Sequence, residues 1–212
     1  MLVLDSRSRG DTLIEVLFAI AIFSLVVVGS LAIMNQGTAA SQRALEITMV
    51  RNEIDAQAET LRFLNASYIS AYASGGYTDD SPAGQWRTMK QYMVDSPLST
   101  SSSGVGCQVP ANGKFILDAK NAKFIPQTTA NVAFNSAQTF SQVTYDVTSP
   151  TSQKIKTADG IWIEAMAPVI TNNNGQKSAD YIDFYIRACW SSPGQSAPVT
   201  IGTIVRLYEP RG

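Results

Sequence analysis

Residues 13–34 form an apolar run broken by one charge, Glu15. The run is about 22 residues long, above the roughly 20 that a helix needs to cross a bilayer. Arg7 and Arg9 precede it, and the next basic residue is Arg43. The short basic side is expected to stay cytoplasmic and the long C-terminal part to be exported. A removable secretory signal has an apolar core of only about 7–15 residues followed by a small-residue cut site. The longer run here, with its candidate cut before it, reads as a retained single-pass anchor.

Glu15 is the costly residue, because a mid-bilayer carboxylate costs about 2.5–3.5 kcal/mol on insertion scales. Two readings remain open. Thr12-Leu13-Ile14-Glu15 fits a capping box, with Glu15 accepting from the Thr12 N–H, and Asp11 and Glu15 suit the positive end of the helix dipole. Alternatively, Glu15 awaits a positive partner inside an assembly.

Gly10 followed by DTLIEVLFAIAIFS, behind a basic leader, resembles the N-terminus of type IV pilins and pseudopilins. The resemblance covers about 25 residues. It implies that a prepilin peptidase cuts between Gly10 and Asp11, that Asp11 is N-methylated, and that Glu15 becomes the fifth mature residue. In that family this Glu pairs with the terminal amine of a neighbouring subunit, which would give a buried charge its partner. Asp11 stands where most members carry Phe, beside that amine, and points to a rarer, minor subunit. The implied partners are other pilin subunits, the prepilin peptidase and the membrane. The implied location is the cytoplasmic membrane, then an extracellular pilus.

Beyond the apolar run, Ile47, Val50, Ile54, Ala58, Leu61, Leu64 and Tyr68 recur at helical spacing. Arg43, Glu46, Arg51, Asp55, Glu59 and Arg62 are assigned to the opposite side, with Arg51–Asp55 and Glu59–Arg62 as pairs one turn apart. The chain therefore divides into a leader at 1–10, one long helix at 11–70 with its transmembrane part at 13–34, and a globular unit at 71–212. Gly29 in the membrane part permits close helix approach, although an ordinary membrane-helix glycine is the favoured reading. Residues 74–113 read as loop, from Gly75-Gly76, Asp79-Asp80-Ser81-Pro82 and the serines at 99–103. From about 114, strand signals take over at 142–147, 161–167, 181–190 and 200–208, with a turn at 172–175 and another at 192–194. The expected fold class is α+β: the long helix packed against an antiparallel meander.

Cys107 and Cys189 are the only cysteines. In an exported unit they are expected to form a disulfide pinning a loop to a strand, against the alternative of two separate thiols. No His is present, removing the commonest general base and metal ligand. No phosphate-binding Gly loop or nucleophile elbow appears. The expectation is a non-enzyme with no cofactor. Asp180 and Asp183 near 172–174 could offer oxygens to Ca²⁺, but match no calcium-loop spacing, so a polar turn is favoured and no metal is assigned. Lys114, Lys120 and Lys123 cluster in sequence, as do Lys154 and Lys156. Acids nearly balance bases past residue 76, so nucleic acid is disfavoured.

The leading function is a minor pilin assembled through its apolar helix. The alternatives are a pseudopilin of a type II secretion or DNA-uptake machine, or a membrane-anchored extracellular adhesin or enzyme.

Overall fold

The computed structural model describes residues 11–95, 107, 109–129, 132–146, 154–166, 170–171, 177–178, 181–192 and 195–210. Its contacts divide the chain into Met1–Leu45 and Glu46–Gly212. Helix α1 (Asp11–Tyr72) runs through both.

In the first unit α1 is helical throughout its described residues, and every side chain from 12 to 42 is exposed. The helix begins at Asp11, one residue before Thr12. Thr12 thus lies inside the helix, which overturns the capping box placed on it.

In the second unit the amphipathic stripe is buried as its spacing requires. Val50, Ile54, Ala58, Leu61, Leu64 and Tyr68 are all in the core, with Ile47 half-buried. Burying a large aliphatic side chain contributes about 1.5–3 kcal/mol, which is what holds this part of α1 to the sheet. The pairing expected on the solvent side is half realised. Arg62 and Glu59 are 2.5 Å apart and exposed, whereas Arg51 and Asp55 form no ion pair among the described residues. Glu46 is another correction. It is half-buried rather than solvent-facing, and its carboxylate accepts from the Trp190 indole N–H at 3.0 Å and the Ser192 hydroxyl at 2.7 Å.

The expected loop at 74–113 contains a second helix, α2 (Pro82–Asp95). Ser81 caps it, its Oγ accepting from the Gly84 N–H at 3.2 Å, and Pro82 takes the first helical position, where no N–H is needed. Ala83, Trp86 and Met89 bury one face. An aromatic run seals that face to the sheet: Tyr92 to Phe124 at 5.4 Å, Phe124 to Phe115 at 5.2 Å and Trp86 to Phe184 at 5.6 Å between ring centres.

Among the described residues ten strands follow: β1 (Phe115–Asp118), β2 (Lys123–Pro126), β3 (Ala133–Asn135), β4 (Gln142–Tyr145), β5 (Ile155–Asp159), β6 (Ile161–Met166), β7 (Ile170–Thr171), β8 (Lys177–Ser178), β9 (Tyr181–Trp190) and β10 (Val199–Tyr208). The main sheet is antiparallel, in the order β10-β9-β6-β1-β2. It is not a pure meander. The hairpin β1–β2 joins the far side of β6 through Phe115 opposite Ile163, and a separate sheet, β3-β5-β4, contains a parallel pair, β3 with β5. Gly160 links the two sheets: its N–H donates to the Asn135 carbonyl at 2.7 Å and its carbonyl accepts from the Cys189 N–H at 2.8 Å. At φ +64°, with the Cys189 carbonyl oxygen 2.4 Å from where a Cβ would sit, only glycine fits there. The turn expected at 172–175 lies outside the described residues; β7 and β8, on either side of it, pair antiparallel.

Candidate functional site

The N-terminal part of α1 concentrates what the chain leaves unsatisfied. Leu13, Phe18, Phe23 and Leu25 are 64–75 % exposed. Apolar surface of this extent is unfavourable in water by about 25 cal/mol per Å², so the segment belongs in lipid or against other apolar helices. Its polar side chains are compatible with either. Ser24 and Ser30 donate back to the carbonyls of Ile20 and Val26, both at 2.8 Å, and Thr38 donates to Asn35 at 2.9 Å. No hydroxyl among them needs water. The helix is long and apolar enough to cross a membrane.

Glu15 is exposed on this helix, and among the described residues nothing forms an ion pair or hydrogen bond with it. Gly29 has open space around it, with nothing within 4 Å. Gly10 lies outside the described residues; Asp11 opens the helix.

The remaining candidates lie in the second unit. Cys107 and Cys189 are joined by a disulfide, their Cα atoms 5.2 Å apart, which ties residue 107 to β9. Asp180 lies outside the described residues. Asp183 accepts two hydrogen bonds from Arg206, each at 2.7 Å. These bonds hold its carboxyl below the usual carboxylate range, and they occupy the oxygens that the calcium reading needed. Among the described residues no three His, Cys, Asp or Glu side chains gather as a metal would require.

The lysines that cluster in sequence are separated in function. Lys114 is buried, donates to the Pro110 and Ala111 carbonyls, and is held below the ordinary lysine pKa by desolvation. Lys120 lies over the Tyr145 ring at 4.0 Å, and Lys123 is 3.6 Å from Asp80.

Several anchoring residues escaped the sequence reading. The Gln57 side-chain amide, fully buried, donates to the Leu117 carbonyl and accepts from the Leu117 N–H, both at 2.9 Å. It extends the β1 ladder one step past Phe115, where β6 stops pairing. A polar residue between Ile54 and Leu61 on the buried stripe was the available signal. Glu209 accepts from the Trp86 indole N–H at 2.8 Å and from Lys90, so α2 secures the end of β10.

A family model described as the prokaryotic N-terminal methylation motif matches residues 5–31. The match takes in Gly10, Glu15 and the exposed apolar helix as far as Leu31. Over this segment the chain is similar to the N-termini of type IV pilins and pseudopilins. No curated protein and no solved structure matches it. For this pilin-like chain, the motif accounts for the segment that the rest of the fold leaves exposed. It also agrees with an α+β architecture whose long N-terminal helix supplies the core of the globular unit.

Proposed function

We propose that the chain is a minor pilin, a structural subunit of a type IV pilus-like filament. The observation that carries this reading is the apolar, exposed first part of α1, with a Glu15 one turn from its start that has no partner among the described residues. Prepilin peptidase cuts between Gly10 and Asp11, and Asp11 becomes the N-methylated terminus. The subunit waits in the cytoplasmic membrane through residues 13–34, with its globular unit exported, and then passes into the extracellular filament. The Cys107–Cys189 disulfide supports export, because such bonds persist in oxidising compartments. In the filament, apolar helices replace lipid around residues 13–34, and Glu15 meets the terminal amine of a neighbour. A buried carboxylate without that partner costs several kcal/mol, so only a paired register is stable.

Glu15→Ala tests the reading. It should leave membrane insertion intact and reduce recovery in sheared filaments at least tenfold. Normal recovery of the variant contradicts the assembly role.

A further inference from the structure

Asparagine is a thermolabile residue, because the backbone nitrogen of the next residue can attack its side-chain carbonyl carbon. Three things restrain that attack: a regular backbone, a hydrogen bond that holds the amide, and a following side chain that crowds the nitrogen. The other asparagines among the described residues keep at least one of them. Asn35, Asn52 and Asn65 lie inside α1, and Asn65 also donates to the Tyr208 carbonyl at 3.2 Å. Asn121 donates to Asp118 at 2.8 Å and Asn135 to Asp159 at 3.1 Å. Asn112 has none of these restraints. It is exposed in a bend just before β1, and nothing among the described residues hydrogen-bonds its amide. Gly113 follows it at φ +76°, with no Cβ to crowd its nitrogen. Among the described residues no acceptor takes the Gly113 N–H.

The nearest charge favours the attack. Lys114 Nζ lies 3.3 Å from the Ala111 carbonyl oxygen, in the peptide unit that leads into Asn112. Lys114 is buried and forms no ion pair among the described residues. Ring closure develops negative charge on the Gly113 nitrogen and then on the Asn112 side-chain oxygen. A cation this near, partly shielded from water, stabilises that charge.

We propose that Asn112 is a self-modification site, which the folded chain converts with water into aspartyl and isoaspartyl products. The Gly113 nitrogen bonds to Asn112 Cγ and gives up its proton. The Cγ–Nδ2 bond breaks, and ammonia leaves with that proton, closing a cyclic imide. Water then opens the imide. Opening at Cγ gives the aspartyl product; opening at the backbone carbonyl gives the isoaspartyl product, with an extra carbon in the main chain ahead of Gly113. The balance is a water consumed and an ammonia released, with no oxidant or reductant. Both products carry a carboxylate next to a lysine that otherwise has no anionic partner among the described residues. The change is permanent, so the converted fraction rises with the age of the chain. The inference is independent of the filament reading.

The test holds the full-length protein in detergent at neutral and at mildly alkaline pH, beside a denatured sample, and follows digested peptides by mass. Isoaspartyl product is counted by its resistance to a protease that cuts at aspartate. In the folded chain the peptide carrying Asn112 should convert at least tenfold faster than those carrying Asn65, Asn121 and Asn135. It should convert faster at the higher pH, because the attacking nitrogen must lose its proton. Its folded rate should stay within tenfold of its denatured rate. Asn112→Gln should stop conversion in that peptide and leave the thermal melt unchanged, because the larger ring closes slowly. No conversion at Asn112 in the folded chain while the denatured chain converts overturns the proposal. So does conversion confined to the other Asn-Gly pair, Asn174-Gly175, which lies outside the described residues.

Discussion

The two parts of α1 are one helix in two solvents. From 46 to 72 one apolar face is covered by α2 and the main sheet, while Met49, Phe63 and Ile69 off that face stay exposed. From 12 to 42 the apolar residues occupy all sides, and all of them are exposed. Amphipathicity records a partner inside the chain; uniform apolarity records a surrounding that the chain must find outside itself. The polar residues follow the same division. Gln57 commits both ends of its amide to Leu117, whereas Ser24 and Ser30 turn back on their own helix and Glu15 has no partner among the described residues.

Substitutions in the two parts should therefore behave oppositely. Leu64→Ala removes a fully buried side chain and should destabilise the globular unit by about 2–5 kcal/mol. Leu25→Ala, at a position 75 % exposed, should shift the same melt by less than about 0.5 kcal/mol. Thermal denaturation of both variants in detergent reads the contrast, and equal shifts would dissolve it. Next in size is Gln57→Ala, which strands the N–H and carbonyl of Leu117 and should cost about 1–3 kcal/mol by denaturant titration. A neutral result would mean that water replaces the amide.

The smallest effect concerns pH. Arg206 depresses the Asp183 carboxyl. The resulting stabilisation is present above the unfolded carboxylate value of about 3.9 and fades as pH falls through the lower folded value. Asp183→Asn should flatten the acid limb of a stability–pH profile slightly and leave neutral pH nearly unaffected, because Arg206 is solvent-exposed and the pair is screened. An unchanged acid limb would remove Asp183 from the groups that set it.

The long helix and strands β6, β9 and β10 were legible in the sequence because their periodicities, 3.6 and 2, are sustained over many residues. Helix α2 was hidden by its surroundings: Asp79-Asp80-Ser81-Pro82 reads as a loop, yet Ser81-Pro82 is also a helix start, and Ala83, Trp86 and Met89 continue it at three-residue steps. Glu46 was misplaced because a charge on a helix is usually solvated, and the Trp190 and Ser192 donors that hold it come from more than 140 residues away. The parallel pairing of β3 with β5 was illegible because a three-residue strand carries almost no pattern of its own. The N-terminal motif was legible because its signals, a glycine, a nearby glutamate and an unbroken apolar run, are all local in sequence, and the family match at residues 5–31 falls on the same stretch.

The central claim is that the exposed half of α1 is a processed assembly segment. Intact-mass and N-terminal sequencing of the protein recovered from its host membrane and filaments test it most directly. A mature chain starting at Asp11, ten residues shorter than the translated one, is the expected result, with one methyl group on the new amine. A chain that still begins at Met1 contradicts it.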